Sequence, residues 1–175
     1  MIAKVRVAQL GDAGFLFRMI TMAAFPPSRF PLPNCEEASA YPHLWRWRSP
    51  LEREADFGVV IEGVEGSIGV AFARAFVPAE RSPGLEDCSF PELSIAIVPE
   101  CRGLGSSFEL LGSLQQLATD RSTGLSLTVS TRNPIAWNLY EKCNFKTGAE
   151  STKSRSMTWF PSSYESREQR RTPGE

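Results

Sequence analysis

The chain has 175 residues, a length that suits one domain with enough apolar sequence to bury a core. Its 19 lysines and arginines nearly cancel its 20 aspartates and glutamates, which argues against a partner attracted by global charge, such as nucleic acid or an anionic membrane. No apolar stretch approaches the roughly 20 residues that a membrane-spanning helix needs.

The 4 cysteines lack both the close spacing of a metal site and the density of a disulfide scaffold. We therefore expect reduced thiols, no metal site and a cytoplasmic protein. The N-terminus also lacks the profile of a signal peptide. A catalytic cysteine would need a histidine partner, and the single histidine, His43, is distant in sequence.

The first half of the chain predicts strands and helices around an irregular, proline-rich segment. In chain order these elements are a strand at 3–8, a helix over 13–24, a loop at 26–33, a second helix over 36–48 broken or bent near Pro42, and hairpin strands at 57–62 and 67–74. Asp12 is suitably placed to cap the first helix.

Aromatic residues cluster in sequence around the proline-rich segment. They are Phe25, Phe30, Tyr41, Trp45 and Trp47. They could form an apolar wall of a binding site, or they could be core packing for an irregular segment, and both interpretations remain open.

The second half predicts alternating strands and helices. In chain order these are a polar loop at 78–90, a strand at 92–98, a helix over 104–121, a strand at 125–130, a helix over 134–142, and hairpin strands at 145–149 and 154–160. Residues 161–175 lack apolar periodicity and are predicted to be a flexible tail, which leaves a single domain over 1–160.

A turn of small residues joins the strand at 92–98 to the helix that follows. It reads Arg-Gly-Leu-Gly-Ser-Ser over Arg102–Ser107. Glycine allows the backbone to approach a ligand closely, and the start of a helix offers unpaired N–H groups and partial positive charge. The turn therefore predicts a cradle for an anionic cofactor group, most simply a phosphate.

Two common phosphate-binding patterns do not fit this turn. The dinucleotide fingerprint requires a third glycine where Phe108 stands, and the nucleotide P-loop requires a lysine that is missing here. A second motif lies downstream, Asn-Pro-Ile-Ala-Trp-Asn-Leu-Tyr-Glu-Lys-Cys-Asn-Phe over Asn133–Phe145.

Together the two motifs resemble the GNAT acetyltransferase superfamily over residues 92–145. Its acetyl-CoA turn reads Gln/Arg-x-x-Gly-x-Gly/Ala, which Arg102 and Gly105 match and from which Ser107 departs. Its downstream segment reads Asn-x-x-Ala-x-x-Leu-Tyr-Glu-x-x-Gly-Phe, and only the glycine is replaced, by Asn144. Asparagine tolerates the left-handed backbone conformation better than most residues, so we expect this replacement to be mild.

The resemblance implies an α/β (α+β) fold, the GNAT acyl-CoA N-acyltransferase fold, with a mixed central sheet of six to seven strands flanked by about four helices. It implies an N-acetyltransferase that uses acetyl-CoA to acylate a primary amine of a small molecule or peptide by direct attack in a ternary complex. The alternative is a catalytically weak acyl-CoA-binding sensor or regulatory module. Expected partners are acetyl-CoA and an amine acceptor, without nucleic acid, membrane or metal, and a homodimer is an option because superfamily members often dimerise.

The resemblance also implies roles for two residues near the thioester. Tyr140 is the candidate general acid for the departing thiolate, because a phenol with a pKa of about 10 lies near a thiol at about 8.5. Its alternative role is packing. Glu92 is the candidate base for the amine, directly or through water, and its alternative is an edge carboxylate that faces solvent or pairs with an arginine.

The remaining expected contacts are to the cofactor and the acceptor. The residues implied to bind the cofactor are Ile97 and Val98 at the pantetheine, Arg102, Gly103, Leu104, Gly105, Ser106 and Ser107 at the pyrophosphate, and Asn133 at a pantetheine amide. Asn133 could instead only cap its helix. If the acceptor is a metabolite, an acidic lining from Glu80, Glu86 and Asp87 would favour polyamine-like cations.

Overall fold

A computed structural model of the chain describes residues 4–25, 31–38 and 40–162. Within these residues it has seven β-strands and five α-helices. The strands are β1 (Lys4–Val7), β2 (Phe57–Gly63), β3 (Gly66–Arg74), β4 (Glu92–Ile97), β5 (Leu125–Ser130), β6 (Lys146–Glu150) and β7 (Ser154–Trp159). The helices are α1 (Ala13–Ala24), α2 (Cys35–Ala38), α3 (Pro42–Trp45), α4 (Ser106–Asp120) and α5 (Pro134–Lys142).

The strands form a mixed sheet in the order β1-β2-β3-β4-β5-β7-β6. Neighbours are antiparallel in the pairs β1–β2, β2–β3, β5–β7 and β6–β7. β4 and β5 pair in parallel, with Glu92 opposite Ser126. The predicted mixed sheet is thus confirmed, with seven strands.

Packing divides the chain into two compact units. The first contains the residues up to Arg74 together with Leu93–Leu114, and the second contains Ala75–Glu92 and the residues from Gln115 onward. The boundary between the units therefore falls within β4. Its first residue, Glu92, is assigned to the second unit, and the rest of the strand is assigned to the first.

The core of the first unit lies between α1 and the antiparallel strands. α1 packs on β3, and the side chains that it buries recur at helical spacing. They are Leu16, Phe17, Met19 and Ile20. β2 and β3 contribute near-continuous buried runs, typical of strands covered on both faces.

The core of the second unit gathers apolar side chains from its strands and from α5. These buried side chains include Leu125, Leu127 and Met157 in the strands and Tyr140 in α5, with Leu85 and Phe145 in the connecting segments. Tyr140 therefore belongs to a packed core as well as to the predicted site.

The second helix predicted over 36–48 is broken before Pro42, one of the two outcomes predicted there, and forms two short helices, α2 and α3. Tyr41 stands directly before Pro42 and has extended backbone angles, φ −116° and ψ 96°. The proline ring disfavours helical angles in the residue before it, so one continuous helix cannot form. This division accounts for five helices where about four were expected.

Asp12 does not cap α1, and that prediction is wrong. Its carboxylate accepts hydrogen bonds from the Arg6 guanidinium at 2.7 and 2.8 Å, and from the backbone N–H of Gln9 at 2.8 Å. The predicted tail over 161–175 lies outside the described residues from 163 onward.

Candidate active site

The predicted cofactor turn lies in the first unit, between β4 and α4. A single 3₁₀ turn, Pro99–Cys101, leads into it, and α4 begins at Ser106. Gly103 and Gly105 have φ values of 79° and 83°. A Cβ atom on either glycine would meet nothing within 4 Å, so backbone conformation rather than space requires glycine at both positions.

Five consecutive backbone N–H groups of this turn, from Gly103 to Ser107, donate to no acceptor among the described residues. Helix bonding begins only with Phe108, whose N–H donates to the Gly105 carbonyl at 2.9 Å. The N–H groups of a helix start carry partial positive charge and lack partners within the helix. This run of donors, with two glycines that leave the backbone uncovered, suits an anionic phosphate group.

Arg102 and the end of β4 lie beside these donors. The Arg102 side chain is exposed, and its Nε donates to the Ile97 carbonyl at 3.0 Å, which leaves its terminal guanidinium nitrogens for an anion. The Val98 N–H donates to Ile68 at 2.9 Å, and the Val98 carbonyl accepts from Cys101 at 3.0 Å. A pantetheine contact at Val98 would therefore use the second lone pair of its carbonyl.

The other predicted segment, α5, lies in the second unit. Asn133 caps the helix, since its Oδ1 accepts from the Ala136 N–H at 3.1 Å. Pro134 takes the first helical position, where its missing N–H costs nothing. Capping is thus a role that Asn133 has, and its predicted contact with the cofactor stays a prediction.

The end of α5 explains why Tyr140, Asn144 and Phe145 occur at this spacing. Asn144 has a φ of 63°, its N–H donates to Glu141 at 2.9 Å, and the Phe145 N–H donates to Tyr140 at 3.0 Å. This is the Schellman pattern of helix termination, in which a hydrophobic contact joins the flanking residues. Here the Tyr140 and Phe145 rings make that contact, with centroids 5.6 Å apart.

Tyr140 is buried, at 7% exposure, and burial raises the pKa of its phenol above the usual value, with nearby Cys143 adding to the shift. The hydroxyl therefore stays protonated at neutral pH and can donate a hydrogen bond or a proton. The raised pKa of Tyr140 lies further from the pKa of a thiol. Proton transfer from Tyr140 to the departing thiolate is therefore less favourable than it would be from an unperturbed phenol. In the part of the chain that the structure describes, the Tyr140 hydroxyl has no hydrogen-bond partner.

Glu92 does not face solvent, which was one of the two environments suggested for it as a bystander residue. It is 5% exposed, and its carboxylate accepts from the Ser82 hydroxyl at 2.5 Å and from the Ser82 N–H at 3.2 Å. Ser82 was not among the predicted site residues. Nothing in its local sequence marks it, because its partner lies at the far end of an irregular loop.

A small cavity lies at the start of α5, in the second unit. Its lining residues are Val129, Ser130, Thr131, Asn133, Pro134, Trp137 and Arg155. The Arg155 guanidinium lies 3.9 Å from the centre of the Trp137 ring and pairs with Glu150. Sequence analysis did not find this stack, since its members come from different elements.

The aromatic segment divides between core and surface. Trp47 is buried against Phe72, which favours the packing interpretation for that residue. Trp45 is 39% exposed, with the Arg48 guanidinium over its ring. Phe25 and Tyr41 are partly buried against a small apolar cluster. Phe30 lies outside the described residues.

The acidic loop residues Glu86 and Asp87 are exposed. Hydrogen bonds from backbone N–H groups, including that of Gly84 at 2.8 Å, lower the pKa of Glu86.

In the described part of the chain, no group of three or more histidine, cysteine or acidic residues could hold a metal ion. No helix among the same residues is long and apolar enough to cross a membrane.

Solved structures of acetyltransferases share this fold. An N-acetyltransferase from Staphylococcus aureus aligns with a TM-score of 0.64 and 19% identity, over 91% of this chain and 99% of that one. Mutant forms of the spermidine/spermine N-acetyltransferase SpeG from Vibrio cholerae align with a TM-score of 0.61 and 20% identity, over 95% and 98%. The yncA protein of Salmonella typhimurium, solved with its cofactor acetyl-CoA, aligns with a TM-score of 0.64 and 14% identity, over 91% and 94%.

At the level of sequence, no curated protein matches the chain. The family model described as "Acetyltransferase (GNAT) family" matches residues 22–145, which include the predicted cofactor turn and all of α5. This match covers well over half of the chain. The chain therefore belongs to the GNAT family, whose members are acetyltransferase enzymes that use acetyl-CoA.

Proposed function

We propose that this protein transfers the acetyl group of acetyl-CoA to a primary amine of a small molecule or peptide, by direct attack in a ternary complex. The observation that carries the proposal is the run of five unpaired N–H groups from Gly103 to Ser107. These donors suit the pyrophosphate of acetyl-CoA, and the Arg102 guanidinium would add positive charge beside them. We further propose a cytoplasmic location, with acetyl-CoA and the amine as partners, as a monomer or homodimer.

At the carbonyl carbon the reaction makes one bond and breaks one. The amine nitrogen attacks the thioester carbonyl carbon, and the carbon–sulfur bond then breaks. In this proposal Glu92 accepts one proton from the acceptor ammonium before attack, and the Tyr140 hydroxyl gives its proton to the departing sulfur. The second proton, which the nitrogen loses after attack, restores the Tyr140 hydroxyl. The pKa of Tyr140, raised by burial, supports a donor that is fully protonated at neutral pH.

The alternative is a catalytically weak acyl-CoA-binding sensor or regulatory module. Two observations favour it: Glu92 is already engaged by Ser82, and the raised pKa of Tyr140 makes its hydroxyl a weaker acid. The turn at Gly103–Ser107 would serve either function equally well. Only turnover distinguishes the two.

The test is free-thiol release from acetyl-CoA across a panel of polyamines, other amine metabolites, lysine peptides and free N-termini, with acetyl-CoA affinity measured separately. Tyr140→Phe keeps the ring that packs on Phe145, and we expect it to lower turnover about 100-fold or more without a comparable loss of affinity. Gly105→Ala should weaken acetyl-CoA binding, because its φ of 83° strains any residue with a side chain. Gly112→Ala, an exposed helical change that meets nothing within 4 Å, is the matched control.

The outcomes separate the proposals. Acceptor-dependent release that falls in Tyr140→Phe supports the enzyme and names its acceptor class. Release that Tyr140→Phe leaves unchanged overturns the acid role of Tyr140 alone. Binding without release for any acceptor favours the sensor, and the absence of acetyl-CoA binding overturns both.

A further inference from the structure

Glu92 and Ser82 form a paired hydrogen bond in the second unit. The Ser82 hydroxyl donates to Glu92 Oε1 at 2.5 Å, and the Ser82 N–H donates to Oε2 at 3.2 Å. Glu92 is 5% exposed, whereas Ser82 is half-buried. The Glu92 carboxylate thus accepts a short hydrogen bond from a serine that is more exposed to solvent than Glu92 itself.

The loop that carries Ser82 is also held by bonds that do not involve Glu92. The Thr128 hydroxyl donates to the Pro83 carbonyl at 3.4 Å. The Ser126 hydroxyl donates to the carbonyls of Phe90 and Pro91, both at 3.1 Å. Several hydrogen bonds therefore anchor the loop without Glu92. The need to anchor the loop does not by itself explain why the Ser82 hydroxyl donates to Glu92.

Two charged residues of this loop, Arg81 and Glu86, have hydrogen-bond partners of their own. The Arg81 guanidinium, next in sequence to Ser82, donates to the carbonyls of Phe76 and Glu86, both at 3.1 Å. The Glu86 side chain is exposed and accepts from the Gly84 N–H. The Arg81 and Glu86 side chains thus bond to backbone groups of the loop.

We propose that Ser82 relays a proton from the acceptor ammonium to Glu92. An alkylammonium has a pKa of about 10, so it must lose a proton before its nitrogen can attack. A carboxylate that is only 5% exposed is poorly placed to touch the ammonium directly. This inference rests on the proposed function, in which Glu92 is the base.

The relay moves two protons and leaves Ser82 unchanged. One N–H bond of the ammonium breaks, and its proton passes to Ser82 Oγ. The proton that Ser82 already shares with Glu92 passes to Oε1 in the same event. The electron pair of the broken N–H bond stays on nitrogen, where it is available for the carbonyl carbon, and Glu92 ends protonated.

The experiment compares pH profiles of kcat/KM for the wild type, Glu92→Gln, Ser82→Ala, Ser82→Thr and the double variant Ser82→Ala/Glu92→Gln. General-base catalysis contributes about 100-fold or more to the rate. Ser82→Ala and Glu92→Gln should therefore each lower kcat/KM by about that factor, and each should remove the acidic limb of the pH profile. The double variant should be no slower than either single one, since both act in one step. Ser82→Thr keeps a hydroxyl and should retain the limb. Thr128→Val, which removes another bond to the same loop, is the matched control and should keep it too.

The results also distinguish the relay from the proposed function. If Ser82→Ala keeps the acidic limb while Glu92→Gln loses it, the relay is wrong and Glu92 remains the base. If Glu92→Gln also keeps the limb, both assignments to Glu92 are wrong, although thiol release would still mark an acetyltransferase. Should Ser82→Ala unfold, the rate of the wild type in H₂O–D₂O mixtures decides: a curved dependence supports two protons in flight, and a linear one overturns the relay.

Discussion

Tyr140 has a structural role that does not depend on any chemistry at its hydroxyl. Its carbonyl accepts from the Phe145 N–H, and its ring packs on the Phe145 ring as the apolar contact of the helix end. The contact between these two rings therefore supports the end of α5 whether or not the hydroxyl is catalytic. Only the hydroxyl separates catalysis from packing, which is why Tyr140→Phe is more informative than Tyr140→Ala.

Asn144 is the residue at which this helix end can be tested most directly. Its φ of 63° lies in the left-handed region, which costs most L-residues roughly 1–2 kcal/mol and glycine almost nothing. Asn144→Ala should lower the free energy of unfolding by about 1 kcal/mol in urea denaturation. Asn144→Gly should equal or exceed the wild type, and an equal loss in both variants would contradict this account.

A buried ion pair organises the irregular segment between α3 and β2. Arg74 Nε and Nη2 donate to the two carboxylate oxygens of Asp56 at 3.0 and 2.6 Å, and both side chains are 0% exposed. The remaining Arg74 donors reach the carbonyls of Arg46, Arg48 and Ser49 at 2.7–2.9 Å. A segment without regular hydrogen bonding is thus tied to the end of β3 by one fully bonded guanidinium.

Breaking this pair should be costly. Asp56→Ala leaves the buried Arg74 charge without its partner and should lower the free energy of unfolding by about 3–5 kcal/mol. Asp56→Asn keeps a carbonyl oxygen that can accept from Arg74 and should lose less than Asp56→Ala. Urea denaturation of both measures the difference, and a loss below about 1 kcal/mol in Asp56→Ala would contradict the argument.

At the scale of the whole molecule, charge nearly cancels, with a formal net charge of −1. The pH dependence of stability should therefore arise from particular pairs rather than from general repulsion. One such group joins three elements of the first unit: Arg6 in β1 bonds Asp12 before α1 and Glu62 in β2, the latter at 2.7 Å. Hydrogen bonds from Arg6, helped by the Gln9 N–H, hold the pKa of Asp12 below its usual value, against the opposing effect of burial.

The sign of this effect sets the pH range. Because the pKa of Asp12 is lower in the folded state than the usual 3.8, its stabilising contribution is complete above 3.8 and disappears as pH falls through the folded value. Asp12→Asn should cost about 1 kcal/mol at pH 7, and the difference from the wild type should shrink below pH 3.8. Thermal unfolding across pH measures it, with the exposed carboxylate change Glu65→Gln as control. A difference that stays constant with pH would exclude the ion pair as its cause.

Local patterns predicted most elements well. The helix over 134–142 coincides with α5, and the strand at 125–130 coincides with β5, because apolar period and turn residues are encoded within each segment. The helix predicted over 104–121 is Ser106–Asp120, since Gly105, at a positive φ, cannot continue it. The second helix breaks near Pro42, one of the two predicted outcomes, because the effect of Pro42 on Tyr41 is stronger than the periodicity around it.

By itself, the sequence determined the family, the mixed sheet, the small-residue turn at Gly103–Ser107 and the helix that carries Tyr140. Each of these depends on residues close together in the chain, where backbone angles and periodicity are set locally. The tertiary structure alone decided that Glu92 is engaged by Ser82, that Asp12 bonds Arg6 rather than a helix end, and that Asp56 meets Arg74. Polar side chains choose partners by proximity in the folded chain, and no local pattern records which distant segment folding will bring beside them.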